Sequence, residues 1–186
     1  MTPPRAVPKF SLAGAIYYLG VASLFGWVAY ERFALPSWPF GDPDSWGYLR
    51  PAIVKLSGGP FAHTNGRNFL YPGFLYLILA AAKSFKAITV VQHVLGLGTG
   101  ALLLCCWNKL GRFLRALPLP VHRFLGLGMV SVYLLYHWPI FFEHDLRPES
   151  ITPFFAILNI LLTLIFFERR QREGPSNSLT LSLIHI

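Results

Sequence analysis

The residues in this chain best suited to chemistry are carboxylates, and they fall in two short polar stretches. The first is Gly41-Asp-Pro-Asp-Ser-Trp-Gly-Tyr48, where Asp42 and Asp44 stand two residues apart. A pair at that spacing in a loop suits a general base, a divalent cation or hydrogen bonds to sugar hydroxyls. The same two residues also suit a turn and the N-cap of a helix starting near Ser45. The second stretch is Glu143-His-Asp-Leu-Arg-Pro-Glu-Ser150, which gathers Glu143, His144, Asp145, Arg147 and Glu149. It suits substrate contacts or a His-carboxylate metal site, and also a solvated loop whose arginine pairs with its acids. A third candidate is Arg67, in Gly66-Arg-Asn-Phe-Leu-Tyr-Pro72. Its guanidinium fork matches phosphate oxygens, and it also suits contact with lipid head groups. His93 and His137 lie inside apolar runs, where packing or a helix-to-helix hydrogen bond is the simpler role. Of the two, His137 lies nearer the acidic stretch.

The elements that must position these residues are hydrophobic. The chain of 186 residues is 54% hydrophobic and only 13% charged, with a mean hydropathy of +0.48. A soluble domain of this size carries about twice that share of charge, so the composition points to an all-α integral membrane protein. The runs Phe10–Tyr30, Ala87–Trp107, Phe124–Phe142 and Ile151–Phe167 are each expected to cross a bilayer, at about 1.5 Å per residue against a core of about 30 Å. The first run is too long for a signal-peptide core and no small-residue cleavage site follows it, so it reads as an uncleaved span. The formal net charge of +8 does not indicate nucleic acid, because the basic residues are divided among loops and make no stripe. Cys105 and Cys106 are adjacent in an apolar run and read as small hydrophobes.

Charge fixes the expected threading. Arg5 and Lys9, then Lys109, Arg112, Arg115 and Arg123, then Arg169, Arg170 and Arg172 alternate along the chain with the acidic stretches. The positive-inside rule puts both termini in the cytoplasm and collects Asp42, Asp44, Glu143, Asp145 and Glu149 on the outer side. The segment Phe69–Phe85 is apolar but short, with Pro72 and Gly73 near its start. If it crossed, the later basic loops would face outward, so it is expected to stay on the outer side. Together with a surface helix over Asp44–Leu56 it makes a large first outer loop. Gly96 and Gly100 in the second span form a small-xxx-small pair that lets another helix approach closely. Residues 1–173 are expected to form one membrane module. Residues 174–186 have no helix signal or membrane-length run and read as an unstructured or non-native tail, with further spans expected in the natural protein.

In order and sidedness these motifs resemble the N-terminal part of the GT-C superfamily of membrane glycosyltransferases, in the branch of protein O-mannosyltransferases and the aminoarabinose transferase. The resemblance covers residues from about 10 to 170 and rests on three segments. Asp44 with Tyr48 resembles the Asp-x-x-x-Tyr of the family's first outer loop. Arg67 with Tyr71-Pro72 resembles the start of its juxtamembrane helix. Glu149, followed by Ser-Ile-Thr-Pro-Phe-Phe, resembles its second outer acid, which is more often Asp. The resemblance implies transfer of a sugar from a polyprenyl-phosphate donor to an acceptor at the outer face of a bacterial inner membrane. It implies Asp44 as base with Asp42 and Glu149 in support, and substrate contacts from Tyr48, Arg67, Tyr71, His144 and Arg147. No cofactor and no metal ligand set is implied, although a divalent ion at the carboxylates stays open. The alternatives are a transporter or channel piece, which would need ionisable groups at mid-membrane, and a non-catalytic membrane subunit. The second and fourth runs carry no charged residue, which weighs against transport. Convergence of Asp44 and Glu149 on one cavity would favour the transferase.

Overall fold

A computed structural model of the chain describes residues 12–61, 69–113 and 117–173. Among these the fold is helical, with one isolated bridge between Phe40 and Asp145. The helices are α1 (Leu12–Ala34), α2 (Ser45–Leu56), α3 (Leu70–Ala82), α4 (Lys86–Phe113), α5 (Leu119–Leu135), α6 (His137–His144) and α7 (Thr152–Glu173), with a single 3₁₀ turn at Pro148–Ser150. Three stretches, Leu12–Ala34, Lys86–Gly111 and Pro148–Gln171, are long and apolar enough to cross a membrane. The pair α5 and α6, bent by 45°, makes a fourth if counted as one span. Helix α3 has 13 residues, which is about 20 Å and shorter than a bilayer core. It packs on α2 and α4.

The boundaries differ from the sequence reading in three places, each with a local cause. First, α1 continues past Tyr30 to Ala34, so Glu31 and Arg32 are helical and Arg32 is fully buried. Its charge is matched inside the protein, so the polar residue does not end the helix. Second, the third apolar run is broken at Tyr136, whose backbone is extended. Pro139 has no N–H to give the carbonyl of Leu135, and its ring would clash there, so one helix cannot run through both. Third, among the described residues of the basic stretch from 108 to 123, α4 reaches Phe113 and α5 starts at Leu119, where a loop is expected. Pro118 caps α5 and Pro120 lies in its first turn, where a missing N–H costs nothing. A helix is present over Ser45–Leu56 as α2, and the last apolar run as α7. Residues 174–186 lie outside the described residues.

Helix α4 is the centre of the bundle, in contact with α1, α3, α5, α6 and α7. Its glycines explain how closely its neighbours approach. A Cβ at Gly96 would collide with the carboxylate of Glu143, and one at Gly100 would lie 2.7 Å from Leu134. The small-xxx-small pair therefore seats α6 and α5 against the backbone of α4. Two apolar clusters result. Tyr71, Leu75, Leu79, Ile88, Leu146 and Ile151 join α3, α4 and the start of α7. Val28, Val130 and Leu134 join α1 and α5.

The bundle has two distinct ends. At one, Glu143 of α6 meets both Arg32 of α1 and His93 near the start of α4. At the other, Trp107 of α4 meets His122 of α5, and Lys109 of α4 pairs with Glu168 of α7 at 2.5 Å. The four long elements alternate in direction, so the acidic stretches share one end and the basic ones the other.

Candidate functional site

The acidic end is built in layers, from the helix interface outward. The innermost layer is a buried ionic knot. Arg32 Nε and Nη2 donate to Glu143 Oε2 and Oε1 at 2.8 and 3.1 Å, and Nη1 donates to the carbonyl of Leu134 at 3.3 Å. His93 Nδ1 lies 2.7 Å from Glu143 Oε2. The two-pronged geometry is the strong form of a guanidinium–carboxylate pair. The glycine at position 96 makes room for the carboxylate. His93 is flanked by the rings of Phe33 and His144.

Above this knot, Gln92 of α4 ties α3 to the 3₁₀ turn. Its Nε2 lies 3.3 Å from the Tyr71 hydroxyl, 3.0 Å from the carbonyl of Asp145 and 2.5 Å from Ser150 Oγ. Burial is the main force pushing the Tyr71 phenol well above its ordinary pKa, so it stays neutral in this network.

The outermost layer holds the carboxylates. Asp42 Oδ1 accepts hydrogen bonds from the amides of Asp44 and Ser45, each at 2.9 Å, and from Ser45 Oγ at 3.0 Å. Asp42 thus closes the N-terminal end of α2, satisfying amides that have no partner within the helix. Arg147 reaches back to this loop. Its Nη2 pairs with Asp42 Oδ2 and lies 3.5 Å from Asp44 Oδ2, while its Nε lies 3.3 Å from Asp145 Oδ2. Asp145 also receives Ser45 Oγ at 3.3 Å. Burial raises the Asp145 carboxyl above its ordinary value, and Glu149 adds to the rise. The Ser45 hydroxyl and the Leu146 amide oppose it. The backbone joins the two stretches as well, since the Phe40 amide donates to the carbonyl of His144 at 2.9 Å.

The residues named from sequence are therefore spread through these layers. Asp42, Asp44 and Arg147 share the surface of the acidic end, and Asp44 is the exposed member. Tyr48 is half-buried on α2, with its ring 5.5 Å from that of Tyr71. Tyr71 is buried, and His144 is buried with Nδ1 facing the Ile140 carbonyl at 3.0 Å and its ring stacked on Phe40. Glu149 is exposed and lines a cavity of about 240 Å³ with Tyr133, Tyr136, Trp138 and Phe142. Asp44 is not among that cavity's walls. Arg67 lies outside the described residues. Among the described residues, no group of three or more His, Cys, Asp and Glu side chains is arranged to hold a metal ion.

A larger apolar groove of about 650 Å³ runs beside this end between α3 and α7, walled by Leu70, Tyr71, Phe74, Ile151 and Phe155. Sequence reasoning did not anticipate the groove or the functions of Arg32, Gln92 and Ser150 in joining helices. Arg32 did carry a signal, since it falls four residues after Val28, on the face of α1 that is buried. Against family models, curated proteins and solved structures, the chain finds no match.

Proposed function

We propose that this chain carries the outer-face site of an integral-membrane glycosyltransferase, in a bacterial inner membrane, that uses a polyprenyl-phosphate sugar. The observation that carries the reading is the exposed carboxylate of Asp44 at the same end of the bundle as the apolar groove between α3 and α7. A polyprenyl tail needs such a groove, and its phosphate belongs at the interface where the groove ends. In the reaction, Asp44 takes the proton of an acceptor hydroxyl, and the oxygen attacks the anomeric carbon. The bond from that carbon to the phosphate oxygen breaks, and polyprenyl phosphate leaves with its negative charge against Arg67. Asp42 supports the site by fixing the loop that holds Asp44, whereas Glu149 lines a separate cavity, so the two acids do not converge on one cavity as the transferase reading expects. The transport reading draws less support, because the buried ionisable groups Arg32, Glu143 and His93 are engaged with one another.

Donor capture tests the proposal. Membranes containing the protein are irradiated with a polyprenyl phosphate that carries a diazirine in its tail. Cross-links should fall on Leu70, Phe74 and Phe155, and unlabelled polyprenyl phosphate should compete where a neutral polyprenol does not. Arg67→Ala should weaken capture. Asp44→Asn should leave capture intact and lower sugar transfer by about 10²-fold or more. Labelling that is random over the lipid-facing helices, or transfer indifferent to Asp44→Asn, defeats the assignment.

A further inference from the structure

The basic end of the bundle holds a cavity that the transferase reading does not use. It measures about 420 Å³ and lies between α1, α4 and α5, with Tyr17, Tyr18, Asn108, Leu119, His122 and Arg123 among its walls. Arg123 is held there in an unusual way. Its guanidinium carbon lies 5.4 Å from the ring centroid of Tyr17 and 5.8 Å from that of Tyr18. Among the described residues no carboxylate pairs with it, and Glu168, an acid of α7 at this end, is engaged by Lys109. Stacking on aromatic faces fixes a guanidinium while leaving its edge N–H donors open. An oxyanion with two or more oxygens is the natural partner of that edge.

The walls extend the selection. Asn108 and the tyrosine hydroxyls supply neutral hydrogen-bonding groups. The first turn of α5 starts at the cavity, so the positive end of its dipole faces the same space. Among its walls, Leu117, Leu119 and Tyr18 are exposed, a rim that suits acyl chain and not water. We infer that this cavity binds the phosphodiester head group of an anionic phospholipid, clamped by Arg123 with the acyl chains along α1 and α5. The inference rests on the reading of the long helices as membrane spans, and is independent of any transferase activity.

The purified full chain is placed in phosphatidylcholine nanodiscs with a minor share of phosphatidylglycerol, then released into detergent, and the retained lipid is counted by native mass spectrometry. The wild type should retain phosphatidylglycerol. Arg123→Gln should lower retention about ten-fold, the loss expected for one charge-assisted contact to a phosphate. Arg169→Gln, at an exposed position of α7, should change it little. Soluble glycerol phosphate should not compete. Equal losses in the two variants would mean diffuse surface charge and overturn the site. Effective competition by glycerol phosphate would overturn the lipid assignment in favour of a free anion. Should Arg123→Gln misfold by near-ultraviolet dichroism, Tyr18→Ala replaces it and must lower retention for the site to stand. Extraction of the chain from membranes by alkaline carbonate would instead fail the membrane reading itself.

Discussion

At the scale of single residues, Asp42 and Asp44 differ in kind although they stand two apart. Asp42 spends its oxygens on the amides and hydroxyl at the start of α2 and on Arg147, whereas Asp44 projects from the surface. Asp42→Ala should therefore destabilise the fold by about 1 kcal/mol, the usual cost of losing a helix cap. Asp44→Asn should change stability by less than about 0.5 kcal/mol, as surface substitutions do. Thermal melts of the two variants in one detergent check this, and the reverse order would exchange their assignments. Asp145 adds a pH signature. Its folded pKa is raised above the ordinary carboxylate value of 3.8, so the folded state holds the proton more tightly than the unfolded chain. Its contribution is fully present below that value and is lost as pH rises through the raised one. Relative to Asp145→Asn, the wild type should lose stability across that window. A wild-type-minus-variant difference that grows in favour of the wild type with rising pH would contradict the assignment.

At the scale of elements, α1, α4 and α6 are locked by the Arg32–Glu143–His93 knot against Gly96. Glu143→Leu leaves Arg32 buried and uncompensated, and should cost about 3–5 kcal/mol. The double variant Arg32→Met with Glu143→Leu removes both charges and should recover most of that loss. A double variant no more stable than the single would show that the pair does not act as a unit. Gly96→Ala places a methyl group against the Glu143 carboxylate and should cost about 1–3 kcal/mol as an overpacked interface. Gly128→Ala is the control, because a Cβ there meets nothing within 4 Å. Equal effects of the two alanines would argue against close approach at Gly96 as the cause.

For the chain as one body, the alternation of basic and acidic stretches gives the threading to be tested. A reporter fused after Lys86 should lie outside the cytoplasm and one fused after Arg115 inside it. A cytoplasmic signal after Lys86 would mean that α3 crosses. The 13 residues of α3 argue for the outer assignment, since about 20 Å of helix does not span a core of about 30 Å. Its packing on α2 gives its apolar residues a protein surface to cover.

Length and hydrophobicity were enough to place α1, α4 and α7, because an apolar run of about 20 residues has few other stable forms, but not the break of the third run at Tyr136. The alternation of basic and acidic stretches along the chain was equally legible, since it is a one-dimensional pattern. The glycines at 96 and 100 marked a close helix approach for the same reason. Which charge meets which is set by the folded chain alone. Arg32 and Glu143 are 111 residues apart, and the helix end of one and the acidic stretch of the other each read as solvated until they are seen to meet. Likewise, Asp42, which receives backbone amides, and Asp44, the more exposed acid, are identical in residue type. Their difference lies in the turn that aims one at backbone amides. The cavities at the two ends are formed by walls from separate helices, so no single stretch of sequence could carry them.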